Sequence, residues 1–100
     1  MLKHIVMWRL KEEALGATKE ENSKKLIKDL KDLQQKIPEV LHIEAGIDVN
    51  GSEAAADVVL YSEFESMEDL QTYQKHPDHV EVVNFVKEIV TERRVVDYFD

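Results

Sequence analysis

The chain has 100 residues, the size of one domain, and 43% of them are hydrophobic, which is enough for a core. Its 21 acidic and 13 basic residues give a net charge of −8, which argues against nucleic acid and anionic membranes as partners. There is no cysteine, so disulfides, thiolate catalysis and thiolate metal sites are excluded. No segment has the length of a signal peptide core or a membrane span, and the sequence predicts a cytoplasmic protein with a single domain, residues 1–100.

The first predicted element is a strand over residues 2–10, LKHIVMWRL, which is rich in β-branched and aromatic side chains. Side chains alternate along a strand, so one face carries His4, Val6, Trp8 and Leu10. The opposite face carries Lys3, Ile5, Met7 and Arg9. Because apolar groups occur on both faces, we expect both to be covered, the first by helices and the second by a partner.

A polar loop leads into the first predicted helix, which begins at a capping box. Thr18 and Glu21 have the spacing at which each side chain satisfies the other's backbone amide. Apolar residues then recur at helical spacing, with Ile27 beside them: Leu26, Leu30, Leu33 and Ile37. Pro38 ends the helix.

Three further strands are predicted. Residues 40–49 alternate, with an apolar face that we expect to be buried: Leu41, Ile43, Ala45, Ile47 and Val49. Asn50-Gly51 signals a turn, and residues 57–64 form the third strand. Residues 93–99 form the fourth strand.

The second helical segment is predicted to break at His76-Pro77. Ser66 is the expected N-cap of its first part, and Met67, Leu70 and Tyr73 lie on one face of it. Pro77 suits the first position of a new helix, where the amide it lacks would have no partner. The apolar stripe is expected to continue, with Phe85 and Ile89 nearby, through Val83, Val86 and Val90.

The order of these elements is β-α-β-β-α-β, which is typical of an α+β, ferredoxin-like fold: a four-stranded antiparallel sheet with helices on one face. The other face of the sheet would be bare in a monomer. Such a face is either polar or covered by a binding partner.

Three segments together resemble the stress-responsive A/B barrel domain family. They are KHIVMWRLK near the start, FESMEDLQTYQKHPDHVEVVNFV in the middle and VVDYF at the end. The four residues of H-P-x-H alone would recur by chance, but the flanking F-E-S, Y-x-x and V-x-D-Y make the pattern more specific. The resemblance covers nearly the whole chain and keeps the family's order of segments.

The resemblance implies a homodimer in which two sheets pack face to face as a dimeric α/β barrel. Most members have no established activity, and a few plant members are stress-induced. The expected function is therefore a homodimeric stress-responsive domain that binds a small ligand or a partner. The alternative is a cofactor-independent enzyme like the family's plant polyketide cyclase or a monooxygenase.

The resemblance also implies the site residues. By analogy with that cyclase, His79 would be a general base and Tyr73 its hydrogen-bonding partner. The implied ligand-binding residues are His4, Val6, Trp8, Asp57 and Val59. The alternative is that His79 only packs at the start of a helix, that His76 is an N-cap and that Trp8, where the cyclase has a small aliphatic residue, fills the cavity.

No cofactor or metal is predicted. The three glycines form no phosphate loop. His4, His76, His79 and Asp57 are residue types that bind metals, but the proline within H-P-D-H matches no zinc pattern. The expected partners are a second copy of the chain and a small aromatic or polyketide-like ligand.

Overall fold

One antiparallel sheet backed by helices forms the body of the protein in a computed structural model that describes residues 1–100. The elements in chain order are β1 (Leu2–Leu10), β2 (Glu13–Ala14), β3 (Ala17–Thr18), α1 (Lys19–Lys36), β4 (His42–Ile47), β5 (Val58–Phe64), α2 (Met67–Lys75), α3 (Pro77–Ile89) and β6 (Val90–Phe99). The main sheet has the order β4-β5-β1-β6, and all its neighbours are antiparallel. This is the predicted ferredoxin-like fold. No helix combines the length and the apolar character needed to cross a membrane.

Helix α1 begins and packs as predicted. The Thr18 side chain accepts a hydrogen bond from the Glu21 amide at 3.2 Å, and the Glu21 carboxylate accepts one from the Thr18 amide at 3.0 Å. Three apolar side chains of α1 are buried against the sheet, together with the residue that caps the helix at its C-terminus: Leu26, Leu30, Leu33 and the cap Ile37. The capping box and the apolar stripe predicted from the sequence are therefore confirmed.

The predicted break at His76-Pro77 is also confirmed. His76 ends α2 and caps α3, where its Nδ1 accepts a hydrogen bond from the Asp78 amide at 3.1 Å. Pro77 is the first residue of α3, because its missing amide would have no helical partner there. Ser66 caps α2 as expected, but Met67 is exposed.

The stripe predicted for α3 was right at Val86 and wrong by one position at its two other residues. The residues that α3 buries are Val82, Val86 and Ile89, whereas Val83 is half-buried and Val90 already belongs to β6. Starting α3 at Pro77 sets this phase, and a run of valines at neighbouring positions hides the phase in the sequence.

Two other predictions need correction. The apolar face predicted for residues 40–49 is only partly buried. Ile43 is in the core, but Ile47 is exposed on the edge strand β4, and Leu41 and Val49 are exposed just beyond its two ends. The segment interpreted as a polar loop contains the β2–β3 hairpin, whose turn residues Leu15 and Gly16 both have positive φ.

The sheet face away from the helices carries a group of apolar side chains that nothing in this chain covers. The pairing of the strands places Val59 opposite Met7 and Val96 opposite Ile5. We call this group the outer face; its apolar members are Ile5, Met7, Val59, Tyr61, Val96 and Tyr98. Met7 is 40% exposed and Val96 is 50% exposed. The predicted division of β1 into two faces is thus observed.

Candidate functional site

A cavity of about 310 Å³ lies between the helix side of the sheet and α3. Apolar side chains from β1, β5, α1, α3 and β6 form its walls, among them Val6, Trp8, Leu60, Val83 and Val86. Its polar groups are His4, Gln74, His79, Lys87 and Arg93. A largely apolar cavity with a few convergent polar groups is typical of a small-molecule site.

His79 lies in the first turn of α3 and lines this cavity. Its Nδ1 donates a hydrogen bond to the Gln74 carbonyl at 3.0 Å, so Nε2 carries the lone pair in the neutral ring. Burial lowers the pKa of His79 below its ordinary value, and the charges of His4, Arg93 and His76 lower that pKa further, against the Gln74 hydrogen bond. The neutral imidazole can therefore accept a hydrogen bond or a proton near pH 7.

We expect the NMR titration midpoint of His79 to lie below 6.5, the ordinary histidine value. Since the unfolded chain then binds this proton more readily than the folded one, His79 contributes stability above about pH 6.5 that is lost as the pH falls through the folded pKa. His79→Gln should flatten the loss of stability in acid. A titration midpoint above 6.5 would contradict the claim that burial lowers the pKa of His79.

Tyr73 lies next to His79, but its hydroxyl is enclosed. The centroids of the two rings are 4.4 Å apart, and the Tyr73 ring also packs 5.0 Å from that of Phe64. Tyr73 is 0% exposed, does not line the cavity, and its hydroxyl has no hydrogen-bond partner. Burial raises the pKa of this hydroxyl. The structure therefore brings the two proposed catalytic rings together without placing the hydroxyl in the cavity.

His4 is anchored by an aspartate that the sequence analysis did not identify. Its Nδ1 contacts the Asp97 carboxylate, which leaves Nε2 as the nitrogen that can face the cavity. The imidazole is 3% exposed, and the backbone carbonyl of His4 accepts a hydrogen bond from the Ser62 hydroxyl at 3.0 Å. Asp97 could have been found from the antiparallel register of β1 and β6, which pairs these two residues directly.

The remaining predicted ligand-binding residues divide into two groups. Val6 and Trp8 line the cavity, and the Trp8 indole does not fill it. The Trp8 Nε1 has no hydrogen-bond partner. Asp57 lies outside the cavity. Its carboxylate accepts a hydrogen bond from the Leu10 amide at 2.8 Å and forms an ion pair with Lys19 at 3.4 Å. Val59 lies on the outer face, because Val58 and Leu60 on either side of it point toward the helices.

The four candidate metal ligands do not all meet: His4 and His79 line the cavity, but the other two lie outside it. His76 caps α3, and Asp57 is engaged at the other end of β1 by the Leu10 amide. No group of three or more histidine, aspartate or glutamate side chains is placed to hold a metal ion.

The sequence as a whole matches a known family. The profile of the stress responsive A/B barrel domain matches residues 2–100. The chain is 33% identical over 101 residues to the stress-response A/B barrel domain-containing protein DABB1 of Arabidopsis thaliana, a match that covers 98% of this chain. It spans less than half the length of the Arabidopsis relatives it matches, 46% of one and 30% of another.

Solved structures show the same architecture. A dimeric protein of unknown function with a ferredoxin-like fold from Bacteroides fragilis superposes with a TM-score of 0.77 at 30% identity, covering 97% of this chain and 93% of that one. The hydroxynitrile lyase of Passiflora edulis superposes with a TM-score of 0.80 at 22% identity, covering 97% and 90%. At that lower identity the likeness shows a common fold.

Proposed function

This chain belongs to the stress responsive A/B barrel domain family, and on that premise we propose that it is a homodimeric domain that binds a small, mostly apolar molecule. The ligand would occupy the cavity between the sheet and α3 in each protomer. The observation that carries this proposal is the cavity itself, about 310 Å³ of space with apolar walls and two anchored histidines.

The outer face supports self-association. Six apolar side chains lie together on one side of the sheet with no helix above them, and exposed apolar clusters of this kind mark interaction surfaces. The Bacteroides fragilis relative is described as dimeric. Packing two outer faces together should bury on the order of 1,200–2,000 Å² or more in total. Such a dimer would leave both cavities free, because they lie on the opposite side of each sheet.

Acid–base catalysis by His79 and Tyr73 is the second candidate function. The lone pair on Nε2 of His79 supports it, since a neutral imidazole in a cavity can act as a base. The position of Tyr73 supports it less, because an enclosed hydroxyl reaches a ligand only if neighbouring side chains move. Ligand binding requires no such movement and is the function we favour.

A thermal-shift screen of small phenolic and polyketide-like compounds tests the binding proposal. We expect hits that raise the melting temperature of the wild type and lose their effect in Val83→Trp, where an indole would fill the cavity. Val80→Trp is the matched control, because Val80 lies one turn earlier on α3 and is 42% exposed. Hits that bind Val83→Trp as well as Val80→Trp would place the ligand elsewhere.

A further inference from the structure

The cavity is a cationic site in an acidic protein. The chain carries a net charge of −8, yet no aspartate or glutamate lines the cavity. Its ionisable lining groups are His4, His79, Lys87 and Arg93. Asp97 is the carboxylate that contacts one of these groups, and it is engaged by His4. The sign of the charge in the cavity is therefore opposite to that of the whole chain.

The two permanent cations of the cavity have no anionic partner. Lys87 and Arg93 are both exposed, so they lie where the cavity meets solvent, and no carboxylate comes within ion-pair distance of either. Lysines elsewhere in the chain, such as Lys19 and Lys25, do form ion pairs. A ligand anion could therefore contact Lys87 and Arg93 without displacing an existing ion pair.

Two imidazoles, those of His4 and His79, lie with these cations in the lining of the cavity. Arg93 lies close enough to His79 for its charge to lower the histidine's pKa, and His4 acts on His79 in the same direction. Since both rings use Nδ1 within the protein, neither Nδ1 is left to meet a ligand. In the neutral imidazole of His79, Nε2 accepts hydrogen bonds, so the positive charge that an anion meets comes from Arg93 and Lys87.

Resting on the proposed function, we propose that the ligand is an organic monocarboxylate. Its apolar body would lie against the valine and leucine walls, and its carboxylate would meet Arg93, with Lys87 beside it. A guanidinium matches the geometry of a carboxylate, with two parallel hydrogen bonds. The apolar walls select against small hydrophilic anions such as phosphate, because such anions cannot use the buried apolar surface.

Matched acid and amide probes test this proposal. Calorimetry would compare 3-phenylpropanoate with 3-phenylpropanamide, and octanoate with octanamide, on the wild-type protein at pH 7.5. Each amide keeps the shape of its acid and removes the charge. We expect at least one acid to bind roughly 10- to 100-fold more tightly than its amide, the effect of a charge-assisted hydrogen bond. Raising the salt concentration should weaken the binding of the acid and leave the binding of the amide unchanged.

Variants of the two cations test whether they cause the tighter binding of the acid. The double variant Arg93→Gln/Lys87→Gln should bring the acid down to the affinity of the amide without changing the affinity of the amide. Lys31→Gln, at an exposed lysine of α1 that lies outside the cavity, should change neither. Equal binding of acid and amide to the wild type would overturn the carboxylate proposal and leave the ligand-binding function standing. Binding of neither, together with an empty thermal-shift screen, would overturn both.

Discussion

The Val96→Asp substitution is expected to convert the proposed dimer into monomers. Val96 lies on the outer face opposite Ile5 and is 50% exposed in the single chain. In a dimer built through this face, a carboxylate at position 96 would be buried without a partner, and each dimer would contain two of them. Removing an unpaired charge from water costs several kcal/mol, so the dissociation constant should rise by roughly 100-fold or more.

Light scattering at micromolar concentration measures this change directly. The control is Val80→Asp, which introduces the same charge at a valine that is 42% exposed on α3, away from the outer face. We expect a dimer mass for the wild type and for Val80→Asp, and a monomer mass for Val96→Asp. A dimer that survives Val96→Asp but dissociates with Val80→Asp would move the interface from the sheet to the helices.

Truncation of Leu33 should produce a large loss of stability. Leu33 is 1% exposed and holds α1 against the core. Leu33→Ala removes buried apolar surface and leaves a cavity, which together cost about 2–5 kcal/mol of unfolding free energy. Denaturant melts at one protein concentration give this value, since unfolding of a dimer also depends on concentration.

Leu41→Ala is the matched control for that measurement. Leu41 was expected from the alternating pattern to be buried, but it is 40% exposed at the edge of the sheet. The same truncation there should cost about 1 kcal/mol or less, because part of the leucine surface already meets water. A cost below about 1 kcal/mol for Leu33→Ala would mean that the stripe of α1 faces away from the core.

The fold was predictable from the sequence because local signals and long-range packing agree in most elements. The capping box at Thr18 and Glu21, the leucine stripe of α1 and the proline at the start of α3 each have a local physical cause. The β2–β3 hairpin was missed because its turn places Leu15 at φ 54°, a conformation that a non-glycine residue rarely adopts. The burial of β4 was overestimated because an alternating pattern does not reveal that a strand lies at an edge.

The site was predictable only in part. Resemblance to the family indicated His4, Val6, Trp8 and His79, and all four line one cavity. Its cations, Lys87 and Arg93, were not identified, because the lining combines residues from six elements that only the tertiary fold brings together. The same reason explains Asp97, which meets His4 across 93 residues of sequence. Nor could spacing show that the Tyr73 hydroxyl is enclosed, since that depends on how Phe64 and His79 pack against its ring.

Methyl NMR of valine-labelled protein during titration with a screening hit tests the central claim, that the cavity behind α3 is the ligand site. Valines report on both sides of the sheet: Val6, Val83 and Val86 line the cavity, whereas Val59 and Val96 lie on the outer face. We predict saturable shifts of the cavity methyls, with the outer-face methyls unchanged. Shifts confined to Val59 and Val96, with the cavity methyls unmoved, would contradict the account.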